Sequence, residues 1–204
     1  MKRGGQDRRR NRLRSAIPLV LAVWLAAGVA AQGQTAPRLV TSVRYYDITG
    51  ETARDLRHAM DRLRPIPTQG PRTDAYTQWR VQWTARYRNT DAGAVVAALD
   101  TRVEVVHYLP RWNGITNAPP ELAQQWRNYL KALALHEKGH QDIGVQAAQE
   151  FVKKVNAETT FASISGADER VRALCNAVVT QFRQREEEFD RQTRHGLSQG
   201  ARFP

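Results

Sequence analysis

The sequence contains a single cysteine, Cys175, so no disulfide within the chain can hold the fold, and stability has to come from a core, with or without a metal. Cys175 stands in an apolar helical stretch, the setting of a small core residue rather than a nucleophile. Internal repeats and low-complexity segments are also missing, which sets aside solenoid and compositionally biased classes. No apolar run reaches the roughly 20 residues that span a bilayer. The charge lacks the concentration that nucleic-acid binding needs. Of the 31 Lys and Arg residues, 7 fall in Met1 to Ala31 with only 1 of the 20 acids, leaving 24 basic against 19 acidic residues afterwards. These are scattered among one another along helices and one strand, as on a solvated mixed-charge surface, so no nucleic-acid partner is expected.

What is there begins with a leader. Lys2, Arg3, Arg8, Arg9, Arg10, Arg12 and Arg14 form a basic block, Ala16 to Ala30 is apolar, and Val29-Ala30-Ala31 offers small residues before Gln32. That order is the layout of a secretory signal peptide and predicts cleavage near Gln32. Residues 32–204 are then one domain, exported to the periplasm or secreted, with no stable membrane span once the leader is gone.

The remaining pattern is α+β. Arg38 to Ile48 is rich in branched and aromatic residues and reads as a strand. Thr52 and Asp55 form a capping arrangement ahead of a short amphipathic helix carrying Leu56, Met60 and Leu63, which Pro65 ends. Trp79 to Tyr87 alternates large apolar with polar residues, and a third strand runs from Val95 to Tyr108, with Pro110 closing it. The expected sheet is small, antiparallel and covered on one face. A long helix starts at Pro119 and Pro120 and has no breaker until after Ala157; Trp126, Tyr129, Leu133, His136, His140, Ile143, Ala147 and Phe151 share one of its faces. A second long helix from Ser165 carries Val171, Leu174, Val178, Phe182 and Phe189, and ends near His195-Gly196. The tail from Leu197 to Pro204 has no assigned order.

Chemistry concentrates in His136-Glu137-Lys138-Gly139-His140. One helical turn separates the histidines, so both imidazoles leave the same face and can take adjacent corners of a zinc tetrahedron. The carboxylate of Glu137 beside them can take a proton from an attacking water and return it to a leaving amine, the general-base role. A third ligand is required. Gln146 occupies the position where a metzincin has its third histidine, so that pattern is excluded, and Glu158 and Glu169 are formal candidates of the thermolysin type. Glu186, Glu187 and Glu188 read as a solvated helix face. His58 and His107 stand alone and are not assigned as ligands; Trp79, Trp83, Trp112 and Trp126 read as core, with a cleft lining as the competing role.

The stretches Tyr45-Tyr46-Asp47-Ile48-Thr49-Gly50, Leu56-Arg57-His58-Ala59-Met60, His136-Glu137-x-x-His140 and Asp190-x-x-Thr193-x-His195-Gly196-x-x-Gln199-Gly200-Ala201 resemble, in that order, a bacterial domain-of-unknown-function family described as predicted secreted zinc-dependent proteases. The likeness covers nearly all of the chain after the leader. It implies a zincin-like architecture, a zinc cofactor and a C-terminal His-Gly within the site. Helix lengths agree with this: at about 1.5 Å per residue, an antiparallel second helix brings His195 back towards His136 and His140 and leaves Glu158 and Glu169 near the far turn. The expectation is therefore a zinc metalloprotease acting on a peptide or protein, with His136, His140 and His195 on the metal and Glu137 as the catalytic base. A non-catalytic zinc-binding envelope scaffold and an amidase of cell-wall peptides are the alternatives.

Overall fold

Branched and aromatic side chains carry Arg38–Ile48 into strand β1, after which Thr52 caps helix α1, Ala53–Leu63. The capping box is complete: the Thr52 hydroxyl accepts from the Asp55 amide, and the Asp55 carboxylate accepts from the Thr52 amide at 3.0 Å. Strands β2, Tyr76–Thr90, and β3, Gly93–Trp112, then form a hairpin, and two long helices follow, α2 at Pro120–Ala157 and α3 at Ile164–Thr193. The structure, a computed structural model, describes residues 36–66 and 72–204; the expected leader, Met1 to Ala31, lies outside the described residues. Among the described residues no helix is long and apolar enough to cross a membrane.

The described residues are α+β with three strands and three α-helices, as expected, but the sheet is mixed rather than antiparallel. Its order is β1-β3-β2, with β2 antiparallel to β3 and β1 parallel to it, from Arg38 opposite Arg102 to Ile48 opposite Trp112. The connection through α1 carries the chain past the position that β3 later fills, so the hairpin returns β3 alongside β1 and running the same way. The third strand also continues two residues past Pro110, which is paired with Tyr46. Strand β2 begins only opposite Tyr108, so at Pro110 β3 has a neighbour on one side alone and tolerates a residue without an amide proton.

One face of the sheet is covered. Trp79, Val103 and Val105 pack against Ala147, Phe151 and Val155 of α2 and Val171, Val178 and Phe182 of α3. The other face is polar, with Arg80 on Glu104 and Arg102 on Gln82. A second cluster gathers Ile48, Leu56, Met60, Trp112 and the first turns of α2 around Trp126 and Tyr129. The C-terminal tail belongs to this cluster. Phe203 is buried, its ring edge-on to Trp126 at 5.3 Å between centroids. Cys175 is a buried core thiol, and Trp112 and Trp126 are core side chains stacked edge to face.

These contacts decide where the histidines sit. The first turns of α2 serve one cluster and its last turns the other, so His136 to His140 spans the gap between them. Helix α3 returns antiparallel along α2, with Arg170 bonded to Glu158 near the turn and Phe189 against both motif histidines. The cap of α3 is Ser163, two residues ahead of the expected start. Asp74 locks the other end: it accepts from Arg57 Nη1 at 2.7 Å and from the Tyr129 hydroxyl at 2.8 Å, joining α1 to α2. Burial opposes the charge of Asp74, but those donors hold its carboxyl below the usual range.

Candidate metal centre

The i, i+4 spacing on α2 points both imidazoles into the same gap, and both are buried. Their Nε2 atoms face each other at 3.3 Å. The third member comes from α3: Asp190 Oδ1 lies 3.2 Å from His136 Nε2 and 3.1 Å from His140 Nε2. Three donor atoms thus form a nearly equilateral triangle. A tetrahedral site with metal–ligand distances of about 2.0 Å has edges of about 3.3 Å, so the triangle has the size of one face of such a site. The donor set, two imidazoles and a carboxylate, is also the kind that holds a divalent ion while leaving a position open. By both tests His136, His140 and Asp190 fit a metal ion.

Each histidine is turned by a partner on its other nitrogen. His136 Nδ1 donates to Gln199 Oε1 at 3.0 Å, and His140 Nδ1 lies 3.3 Å from Glu186 Oε1, which leaves both Nε2 lone pairs directed at the triangle. Two close approaches press the elements together. Gly139 lets the Phe189 ring lie on the motif helix, where a Cβ would collide with it. Gly196 adopts φ 83° against the His136 ring, a left-handed conformation natural to glycine, and so turns the tail towards Gln199. The tail, unassigned from sequence, is therefore part of the site.

Glu137 is buried beside the ligands. Thr77 of β2 donates its hydroxyl proton to Glu137 Oε2 at 2.7 Å, and because a hydroxyl has only one proton, His107 Nδ1, 2.8 Å from the same oxygen, is then the donor to Thr77. Burial raises the Glu137 carboxyl above the usual carboxylate range, against the Thr77 hydrogen bond and the nearby histidines, which lower it. His107 thus enters the site through Thr77 rather than as a ligand, while His58 is exposed on α1.

His195 reaches the same cleft but stands one contact outside the triangle. Its Nδ1 lies 3.5 Å from Asp190 Oδ1, its side chain is 44% exposed, and the atom that meets both histidines is the Asp190 oxygen. The lengths of the helices do bring His195 home, but α3 ends at Thr193, and left-handed conformations at Arg194 and His195 turn the chain away. Glu158 is the C-cap of α2 and is paired with Arg170, far from the histidines, and Glu169 is exposed. Asp190 and Glu186 were both legible as a pattern: they continue the buried stripe of α3 at the spacing Phe182, Glu186, Phe189, Asp190, Thr193. The acidic run obscured it. Glu187 is exposed as expected of such a run, whereas the Glu186 side chain is only 12% exposed.

The triangle opens on a cleft of about 840 Å³ bordered by β2 from Tyr76 to Arg80, the motif helix and the end of α3. Burial alone would lower the His140 pKa, but hydrogen bonds to Asp190 and Glu186 outweigh it and push the value up to about 10. Since the folded value lies above the ordinary 6.5, this interaction stabilises the fold fully below about 6.5 and is lost as pH rises through about 10. With metal stripped by a chelator, the urea midpoint is expected to fall over that window, and added zinc, which needs neutral imidazole, to restore more stability the higher the pH. A stripped protein whose midpoint stays level across the window would contradict the assignment.

Fold and site together define an α+β protein built round a candidate metal centre. The chain belongs to a bacterial family described as being of unknown function, DUF922, which matches residues 43–196. No curated protein and no solved structure matches the chain significantly.

Proposed function

We propose that the protein is an exported zinc-dependent hydrolase that cleaves peptide bonds, with His136, His140 and Asp190 as the protein ligands and Glu137 as general base. The observation that carries this reading is the triangle of two Nε2 atoms and one carboxylate oxygen, with edges of 3.1 to 3.3 Å, with Glu137 on the same helical turn. A purely structural zinc site has no need of a carboxylate beside its ligands and tends to use cysteine, of which this chain has one. The zincin-like comparison is supported by the arrangement of the motif helix along the cleft and of β2 as its bordering strand.

A bound zinc ion would supply Lewis acidity and lower the pKa of water from 15.7 to about 7. The rest is work for the chain itself. Glu137, raised in pKa by burial and steered by Thr77, accepts the proton of the attacking water and delivers it to the leaving amine. A carboxyl tuned upward both takes and gives a proton near neutral pH more readily than an exposed one. Without metal, hydrogen bonds from the two histidines overcome burial and hold the Asp190 carboxyl well below the usual range, so the carboxylate is already ionised when a cation arrives. His195, beside Asp190 on the cleft lining, steadies that carboxylate and faces the substrate side.

The test is direct. Metal analysis of the purified protein is expected to give near one zinc per chain, and labelled casein is expected to be cleaved in a reaction that a chelator stops and zinc restores. Absence of zinc at purification and on titration would overturn the metal assignment. Zinc binding without cleavage of casein or of a mixed peptide library would favour the non-catalytic scaffold instead.

A further inference from the structure

A largely buried carboxylate beside the motif histidines, Glu186, is neither ligand nor base. Glu186 sits in an acidic run, yet its side chain is 12% exposed where that of Glu188 is 44% exposed and bonded to Arg191. Burying a carboxylate is costly unless its oxygens are satisfied. Here both are. Oε1 accepts from Trp79 Nε1 at 2.7 Å and meets His140 Nδ1 at 3.3 Å, while Oε2 is bonded to Arg183 Nη1. Arg183 is itself held twice by β2: its Nη2 donates to the Trp79 carbonyl at 2.7 Å, and its guanidinium lies over the Trp79 indole, 4.0 Å from the ring centroid.

We infer that Glu186 is a positioning residue for this centre, fixing His140 in the tautomer and orientation that direct Nε2 to the vertex shared with His136 and Asp190. The inference rests on the metal reading above and extends it to residues that no part of the motif contains. An imidazole that donates from Nδ1 keeps its lone pair on Nε2; were the tautomer reversed, Nε2 would carry a proton aimed at the ligand position. Glu186 enforces the productive tautomer because, being acceptor-only when ionised, it has no proton of its own to offer Nδ1. Its grip is rigid. Turning the carboxylate away would break its contacts with Trp79, Arg183 and His140 together and would disturb the seat of Arg183 on the edge of β2. The second ligand has a weaker, neutral counterpart, since His136 leans on the amide of Gln199. A charged partner also raises the basicity of the imidazole it holds, so the Glu186 side of the site carries the larger share of affinity.

The experiment measures zinc dissociation constants of purified protein by competition with a chromogenic chelator, alongside urea midpoints after metal stripping. Glu186→Gln keeps the shape and is expected to weaken zinc binding about 10-fold, and Glu186→Ala about 100-fold, the range seen for outer partners of ligating histidines. Glu187→Gln, on the exposed neighbour, is expected to leave affinity unchanged. A merely structural Glu186 would lower the stripped midpoint in both variants and leave the dissociation constant within twofold of wild type, and that result would overturn the inference while sparing the metal assignment. No zinc binding by the wild type would overturn both.

Discussion

Alanine at Asp190 is expected to weaken zinc binding well beyond the 10- to 100-fold that loss of an outer partner causes, because it removes a carboxylate oxygen that meets both histidines. Two imidazoles would remain, one short of the three protein ligands usual in a catalytic zinc site. The fold should survive the change. Asp190 is partly exposed, and α3 is anchored by Val171, Leu174, Val178 and Phe182, which the substitution does not touch. His195→Ala is the informative partner, with an expected loss smaller than that of Asp190→Ala, since His195 touches the triangle only through Asp190 at 3.5 Å. Both variants are read by chelator competition. If His195→Ala abolished binding while Asp190→Ala did not, the third ligand would be the histidine that the family likeness implies.

Glu137→Gln is expected to cut hydrolysis by about 10² to 10⁴, the usual contribution of a positioned acid–base group, without loss of zinc. The amide has nearly the same shape, and Thr77 can still donate to its oxygen, so the geometry of α2 against β2 is kept. Stability should hold or rise. Burial raises the Glu137 carboxyl, so its ionised form opposes folding as pH climbs above its ordinary value of 4.5, and an amide has no such charge. The measurement pairs casein turnover with zinc content and urea midpoint. Wild-type turnover in this variant would remove Glu137 from the chemistry and leave the metal site standing.

Helices and strands were legible because their signals are local. The capping pair Thr52 and Asp55, the alternation in β2, and the three-and-four spacing from Trp126 to Phe151 each follow from how a backbone aims successive side chains, and each is found where expected. The motif belongs to the same category: two histidines one turn apart face one way in any helix, whatever surrounds it. Boundaries shifted by a few residues. Strand β3 ran past Pro110 because its neighbour β2 had already ended, a fact about pairing rather than about proline.

By itself the sequence determined the α+β class, the long motif helix and the presence of His136, Glu137 and His140 on its buried side. Tertiary structure alone decided three things. It set β1 parallel to β3, since strand alternation is the same in either direction and only the route of the chain through α1 chooses the partner. It set the Asp190 carboxylate against both motif histidines and left His195 3.5 Å from Asp190, since the helix ends between them and the backbone turns there. And it drew Glu186, Thr77 and His107 into the site from three separate segments, each a polar residue of ordinary appearance until burial removed its water and left it protein partners to bond.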